Sequence, residues 1–321
     1  MIKYVVKRFV QMIVVLFIVS LLVFLLTNFI GDPVDMLVPE NATLEQIESA
    51  RARLGLDKPL PVQYGIFIND VLHGNFGKSY TYGKPAMDLI FERMPATLEL
   101  VAVAACLVLC IAIPLGVYAG AYPKRASSKL IMSGSILGIS LPSFWVGMMM
   151  IYVFAVVLRL LPASGRGNTV MVGNVALSIF APGGIRYVIL PAITLALTNV
   201  ATMLRLTRSG ILENMRQDYI KFARAKGVPA KSILFGHALK NALIPVVTIF
   251  GMDLGNMIAF TTITETIFAW PGMGKLLIDA INKSDRPIIV AYLMAAACMF
   301  VVLNFIVDIL YTLIDPRIEL R

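Results

Sequence analysis

The sequence has 321 residues, of which 58% are hydrophobic and 15% charged, with a formal net charge of +9 and a mean hydropathy of +0.81. Soluble domains carry about a quarter of their residues as charged side chains, so this composition excludes a soluble enzyme. Its basic residues form no continuous run of the kind that binds nucleic acid. The composition indicates a membrane protein.

Six apolar blocks are long enough to cross a hydrocarbon core of about 30 Å as helices. The first follows Lys3, Lys7 and Arg8, as a secretory signal would, but its apolar run is too long for a cleaved signal and no small-residue cleavage site precedes Gly31. We therefore predict an all-α polytopic membrane protein with six transmembrane helices, the first of them uncleaved. The blocks cover residues 9–30, 97–121, 134–160, 187–206, 243–265 and 288–314.

The Lys and Arg residues predict the orientation of these spans. Six spans place both termini and two of the loops on one side of the membrane, and these segments contain sixteen Lys and Arg residues. The three loops on the other side contain eleven, although together they are nearly twice as long. Because positive charge accumulates on the cytoplasmic side, we expect both termini to be cytoplasmic. The first set of segments is 1–8, 121–130, 205–242 and 315–321; the second is 31–95, 161–187 and 268–287.

Three regions follow along the chain. Residues 1–30 form the cytoplasmic N-terminus and first span, residues 31–95 an external cap, and residues 96–321 a core of five helices. In the cap, Thr43 resembles a helix N-cap with Gln46 three residues later, which is a capping box. The core contains the long basic loop 205–242, and loops of this length are usually functional.

A short helix is predicted inside that loop. Asp218 is placed to cap it and Gly227 to end it in the left-handed conformation. Tyr219, Phe222 and Ala223 share one face at helical spacing. Such a helix suits docking into a groove on a partner protein; the alternative is an interfacial helix that rests on anionic lipid.

The chain has no phosphate-binding loop of its own. The nearest match ends in Gly274-Lys275, but Leu276 stands where Ser or Thr is required, and Ala269 replaces the first Gly. Energy must come from a separate ATPase or from an ion gradient. An intramembrane enzyme is disfavoured, because His73 and His237 fall on opposite sides of the membrane and form no metal site.

Acidic residues inside the spans are the candidates for ion coupling or for contact with cargo. These are Asp253, Asp308 and, near the outer end of the fifth span, Glu265. Asp253, Asn256 and Glu265 are interpreted as part of a translocation path. Asp253 and Asn256 either face a cationic group of the cargo or form a wetted lining that binds nothing. Gly251 and Gly255, four residues apart, predict close helix packing.

Ordered motifs then resemble one family along essentially the whole chain. The loop segment DYIKFARAKG at 218–227, followed by HALKNALIPVVT, resembles the EAA-type coupling loop of binding-protein-dependent ABC importer permeases. Only Ala223 of the family's Glu-Ala-Ala triplet is kept, and this departure resembles the subfamily that imports di- and oligopeptides, nickel complexes and glutathione. The other motifs are YVVKRF, GDP at 31–33, LGLDKPLPVQY, HGNFGKSY, PATLEL, LPSFW at 141–145, ILPAITLA, TETIFAWPGMG at 264–274 and DPRI at 315–318.

The resemblance implies a type I ABC importer permease fold and the first of two permease subunits, which together form a heterodimeric pore. It implies two ATP-binding subunits that hold ATP and Mg, while this chain binds no cofactor and no metal. It also implies a periplasmic or lipid-anchored substrate-binding protein that docks on the external face, with membrane lipids around the spans and no nucleic acid. The cargo is expected to be a peptide, alternatively a nickel complex or glutathione.

Two groups of site residues follow from the resemblance. Docking of the binding protein is expected at Trp270, Pro271 and Gly272. ATPase coupling is expected at Asp218, Tyr219, Phe222, Ala223, Ala225, Gly227, His237 and Asn241.

Overall fold

The first helix is long and apolar enough to cross a membrane. The computed structural model describes residues 2–27, 34 and 43–314, so the motifs at 31–33 and 315–318 lie outside the described residues. Helix α1 covers Ile2–Thr27. Its outward-facing apolar side chains remain exposed, as expected for a helix surrounded by lipid.

Within residues 43–314, two short helices come first. Helix α2 (Leu44–Leu54) begins with the predicted capping box of Thr43 and Gln46, and it ends at Gly55 in the left-handed conformation. Helix α3 (Leu60–Leu72) packs against α1, where the Tyr64 hydroxyl lies 2.9 Å from the Ser20 hydroxyl. The predicted cap region therefore rests on the first span.

Helices α4 and α7 form the centre of the bundle. Helix α4 covers Ala86–Ala121, beginning eleven residues before the predicted span, and α7 covers Ile185–Asn214. They approach closely because Gly116 and Gly120 of α4 face Thr207 and Ile211 of α7, leaving no room for a larger side chain. The main apolar core lies between these two helices and α9.

The third predicted span is not one straight helix. Helix α5 covers Ala126–Ser140 and α6 begins at Ser143, continuing through π-helical turns to Val157, with a bend of 106° between the two. The prediction of a continuous helix over 134–160 is corrected here: Pro142 cannot donate the backbone hydrogen bond that would join α5 to α6. The pair is a broken span or a re-entrant loop.

Between α6 and α7 the chain makes a small β-hairpin. Strands β1 (Val170–Val172) and β2 (Val175–Leu177) are antiparallel, with Val172 opposite Val175. We call the end of the bundle that carries this hairpin the hairpin end.

The opposite end, which we call the loop end, carries helix α8 (Asp218–Ala225). Helix α9 then runs continuously over Ala230–Ile267, with π-helical turns at Ile233–Ala238. The predicted fifth span, 243–265, is therefore the second part of a longer helix that begins inside the basic loop.

Two further helices, both of which begin at the hairpin end, complete the bundle. They are α10 (Met273–Asn282) and α11 (Arg286–Ile314). Gly251 and Gly255 of α9 lie directly against Val307 and Phe300 of α11, so the predicted close packing is confirmed. In the described part of the chain, five helices are long and apolar enough to span a membrane, and six spans result if the bent pair counts as one.

Candidate coupling loop and membrane cavity

Helix α8 begins one residue earlier than the predicted cap at Asp218 implies. Gln217 occupies the N-cap position, without a side-chain cap, and Asp218 is the first helical residue. The prediction that Asp218 caps the helix is therefore wrong; its carboxylate instead pairs with Lys221 at 2.8 Å. The hydrogen bond from Lys221 lowers the pKa of Asp218. Gly227 follows with a φ of +78°, which confirms the predicted left-handed ending.

An apolar cluster holds α8 on the bundle. Ile220 is fully buried and packs in one core cluster with Ile211 of α7 and with Ile233 and Ala242 of α9. Ala223 packs against the same cluster. Burying an isoleucine side chain contributes about 1.5–3 kcal/mol, so α8 is fixed to both long helices rather than suspended in a loop.

A chain of hydrogen bonds adds to this attachment. The Tyr219 hydroxyl donates to Asn214 Oδ1 at 2.7 Å, and Asn241 Nδ2 donates to the Tyr219 oxygen at 3.0 Å. The three residues belong to α7, α8 and α9 in turn. Tyr219 and Asn241, both predicted as coupling residues, are thus brought together, whereas Asn214 was not predicted, because a lone Asn at a helix end carries no distinctive sequence signal.

The remaining predicted coupling residues lie at the surface. Phe222 is 62% exposed, with the Lys226 ammonium 4.5 Å from its ring centre. Ala225, Gly227 and His237 are also exposed. An exposed phenylalanine on an anchored helix, surrounded by basic side chains, is a surface that a partner protein can cover.

The predicted path residues Asp253 and Asn256 line an open cavity of about 290 Å³ between α7, α9 and the start of α6. On α9, the lining residues recur every three or four positions and so form a single stripe. Helix α7 supplies a second wall, and Ser143 comes from the bend before α6. The other lining residues are Thr194, Leu195, Thr198, Asn199, Met257, Phe260 and Thr264.

Glu265 does not belong to this cavity. Its side chain is fully buried, accepting hydrogen bonds from the Thr97 hydroxyl at 2.6 Å and from the backbone N–H of Lys275 at 2.9 Å. It lies at the N-terminus of α10, where backbone N–H groups stabilise an anion. The expectation that Glu265 lines the path is therefore corrected: the carboxylate ties α9 to α4 and α10.

Two of the three predicted docking residues are also inside the protein. Trp270 is fully buried and donates from its indole N–H to the Ala96 carbonyl at 2.9 Å. Gly272 is buried against the Glu265 carboxylate, where a Cβ would collide with it. Neither residue is part of a surface, so this expectation is corrected for both, whereas Pro271 is partly exposed.

A buried ion pair at the hairpin end was missed from the sequence. Glu99 of α4 receives two hydrogen bonds from Arg166, at 2.9 and 2.5 Å, and three more from Ser178 and Ile179. The guanidinium also lies over the Trp270 ring. The sequence did contain one indication of this pair: Glu99 is the third residue of a predicted span, and an ionisable residue inside a span normally has a partner.

A third buried carboxylate, that of Asp285, joins the cap region to the start of α11. Asp285 Oδ2 accepts from the Ser79 hydroxyl at 2.6 Å and from the Thr81 N–H at 3.0 Å. Beside it, burial raises the pKa of Tyr80. The hairpin end is therefore held by several polar contacts that sequence spacing does not reveal.

Comparison with known proteins shows the protein family to which the chain belongs. Residues 112–320 match the family model described as the inner membrane component of binding-protein-dependent transport systems, and residues 1–101 match the N-terminal model for such components. The chain belongs to this family of multi-pass membrane permeases.

Individual relatives extend over nearly the whole chain. The probable D,D-dipeptide transport system permease protein DdpB of Escherichia coli (strain K12) is 37% identical, covering 94% of this chain and 92% of that protein. The di/tripeptide transport system permease protein DppB of Pseudomonas aeruginosa (strain UCBPP-PA14) is 38% identical, with 99% of both chains covered.

A solved structure shows the same fold. A chain from inward facing conformations of the MetNI methionine ABC transporter superposes with a TM-score of 0.54 at 15% identity. The match covers 71% of this chain and 97% of that one. The type I ABC importer permease fold is thereby confirmed.

Proposed function

We propose that this chain forms one half of the pore of an ATP-driven importer that moves di- and oligopeptides across the bacterial cytoplasmic membrane. The relatives above are named for dipeptide or di/tripeptide transport, and these names favour a peptide over a nickel complex or glutathione. The distribution of Lys and Arg supports cytoplasmic termini. A homologous permease chain would supply the other half of the pore.

One observation carries the assignment of ATP coupling: α8 presents Phe222 on a helix that is anchored to both α7 and α9. In the proposed mechanism, two partner subunits bind ATP and Mg, and each permease chain inserts its coupling helix into one of them. Because α8 is joined to α7 and α9, movement of the ATPase subunits is carried into the walls of the membrane cavity as a rigid-body displacement.

Ion coupling is the second candidate, and the geometry disfavours it. Of the three carboxylates considered for it, Asp308 is paired with Arg8 at 3.2 Å and Glu265 is part of a buried hydrogen-bond network. Only Asp253 faces the membrane cavity. A proton or sodium relay requires several such groups in reach of one another.

The substrate-binding protein would dock at the hairpin end. With Trp270 and Gly272 buried, the proposed surface consists of exposed apolar side chains at the hairpin end. Three examples are Leu72, Met171 and Phe180, which are 79%, 63% and 65% exposed. Exposed apolar groups of this size mark surfaces that partners cover.

Replacing Phe222 tests the coupling assignment. Phe222→Ser removes an exposed contact without disturbing the buried side of α8, and an interface anchor of this kind contributes about 2 kcal/mol. We expect weaker association with the ATPase subunits, by about 30-fold, and loss of the ATPase stimulation by loaded binding protein. Both are measured on the purified complex in proteoliposomes supplied with ATP and no ion gradient.

Phe91→Ser is the matched control. Phe91 is 55% exposed, on the half of α4 that is distant from α8, so its replacement should leave ATPase association unchanged. Unaltered association and stimulation in Phe222→Ser would reject α8 as the coupling element. Peptide uptake that follows an ion gradient and ignores ATP would reject the proposed function itself.

A further inference from the structure

The membrane cavity has an unbalanced charge. Asp253 is the one ionisable residue in its lining, and no Lys or Arg in the described ranges pairs with it. By contrast, Glu99 and Asp308, the carboxylates of two other spans, each have an arginine partner. A carboxylate at this depth is costly without a compensating charge, so the cavity favours a ligand that brings a cation.

The neutral groups around Asp253 strengthen this preference. Asn256, a neutral residue of the lining, hydrogen-bonds to the Asp253 carboxylate. Two further polar side chains of the lining already donate inside α7: the Thr194 hydroxyl to the Leu190 carbonyl at 2.9 Å, and the Asn199 amide to the Leu195 carbonyl at 3.4 Å. Their oxygens remain as acceptors, and no lining residue is a cationic donor. The cavity can therefore bind an ammonium group but offers no positive partner for a carboxylate.

The position and size of the cavity fit a passing cargo. Asp253 lies near the middle of the apolar part of α9, and ligand sites in transporters lie near the midplane of the bilayer, beside interrupted helices. The interruption between α5 and α6 places Ser143 in the lining. A volume of about 290 Å³ is at the lower end of the range for small-molecule sites, about 300–1,000 Å³, which suits the terminal residue of a peptide.

We infer that the Asp253 carboxylate binds the primary ammonium group of the transported peptide, so that the pore itself prefers cargo with a free amino group. This inference rests on the proposed function, since a peptide must be the cargo. The amino group can come from the N-terminus or from a lysine side chain. The C-terminal carboxylate is not recognised in this cavity.

Binding to the assembled transporter without its binding protein and without nucleotide tests the inference. Radiolabelled Ala-Ala is the probe, and unlabelled peptides compete with it. We expect Ala-Ala and its C-terminal amide to compete equally, and N-acetyl-Ala-Ala to bind about tenfold more weakly, which corresponds to about 1.4 kcal/mol. N-acetyl-Ala-Lys distinguishes the two sources: full competition means that any primary ammonium serves, and weak competition confines recognition to the α-ammonium.

Variants of Asp253 test whether the preference for a free amino group depends on this side chain. Asp253→Asn should bind Ala-Ala and N-acetyl-Ala-Ala equally, and Asp253→Glu should keep the preference for the free amino group. Asp308→Asn is the matched control, because it removes a carboxylate from another span outside the cavity, and it should retain the tenfold difference. Unchanged affinity for N-acetyl-Ala-Ala in Asp253→Asn shows that this variant is folded.

Two results would overturn the inference: no discrimination by the unmodified transporter, or a tenfold difference that persists in Asp253→Asn. Neither result affects the proposed function, which is tested separately by ATP-driven uptake of Ala-Ala with the binding protein present. Absence of that uptake, with intact ammonium preference in the binding assay, would instead reject the proposed function alone.

Discussion

The two ends of the bundle are held together by different chemistry. At the hairpin end, the buried carboxylates of Glu99 and Glu265 each accept hydrogen bonds from two other segments of the chain. At the loop end, α8 is held by an apolar cluster around Ile220 and by hydrogen bonds through the Tyr219 hydroxyl. Buried ionic networks are lost all at once when one member is removed, whereas apolar contacts and exposed hydrogen bonds weaken in small steps.

Because the two ends are held differently, we expect the hairpin end to determine the stability of the bundle and the loop end to determine its coupling to the ATPase subunits. The hairpin end should behave as one rigid unit within this chain, because α4, α9, α10 and the segment before α7 share the same buried groups. The loop end should tolerate substitutions that change how α8 is held without unfolding the bundle. Substitutions at the hairpin end should therefore cause large losses of stability. Substitutions at the loop end should cause small losses of stability and should mainly affect coupling.

The largest effect is expected for the Glu99–Arg166 pair. Glu99→Ala leaves the Arg166 guanidinium buried without its charge partner, and breaking a buried ion pair in this way costs about 3–5 kcal/mol. We expect a large loss of thermal stability of the purified complex in detergent and faster proteolysis between α6 and α7. Arg166→Ala should have a similar effect.

The double variant Glu99→Leu with Arg166→Met is the control for that prediction. It removes both charges and keeps apolar volume, so it should recover part of the stability lost in either single variant. If each single variant melts like the unmodified protein, the hairpin end is not held by this pair.

A smaller effect is expected at Glu265, the buried carboxylate that ties α9 to α4 and α10. Glu265→Ala removes the acceptor for the Thr97 hydroxyl and for the first N–H groups of α10, leaving buried donors unsatisfied at a cost of about 1–3 kcal/mol. The melting temperature of the complex should fall by less than in Glu99→Ala. Glu265→Gln keeps an acceptor oxygen and should recover part of the difference.

Asp279→Ala is the matched control for Glu265. Asp279 pairs with Lys275 on the surface of the same helix, and its side chain is 38% exposed. Exposed pairs contribute about 0–1 kcal/mol, so this variant should melt close to the unmodified protein. Equal losses in both variants would mean that Glu265 acts only through local helix stability.

The sequence predicts the loop end better than the hairpin end, for a physical reason. Helix α8 depends on neighbours in the chain: an extended entry at Gln217, a left-handed residue at Gly227 and the spacing of Tyr219 and Phe222. Such local features are encoded within one or two helical turns. The short helix was therefore predicted almost to the residue, although the capping role of Asp218 was not correct.

Contacts at the hairpin end depend on residues that are distant in the sequence. Glu99 and Arg166 are 67 positions apart, and Thr97 and Glu265 are 168 apart. Periodicity and spacing carry no information about such pairs, and for this reason Trp270 was interpreted as a surface residue. The break between α5 and α6 at Pro142 was also missed. Hydropathy is averaged over a window of residues, so it does not show where the helix axis bends.

The smallest of the three effects is expected at Tyr219. Tyr219→Phe removes the hydroxyl between Asn214 and Asn241 but keeps the ring, and one such hydrogen bond contributes about 0.5–1.5 kcal/mol. We expect the melting temperature to fall by less than in Glu265→Ala, with fewer peptides transported per ATP hydrolysed, because α8 is held less firmly between α7 and α9. Peptide uptake and phosphate release are measured together in proteoliposomes.

Lys221→Ala is the control that makes the Tyr219 result informative, because it removes a polar contact on the same helix. Its partner Asp218 is 95% exposed, and the lowered pKa of Asp218 means that the pairing is present at neutral pH and is lost only on acidification through that pKa. If Lys221→Ala and Tyr219→Phe reduce coupling equally, the surface charge of α8 and not its attachment governs transport. If only Tyr219→Phe does so, coupling depends on how α8 is anchored, and the difference between the two ends extends from stability to function.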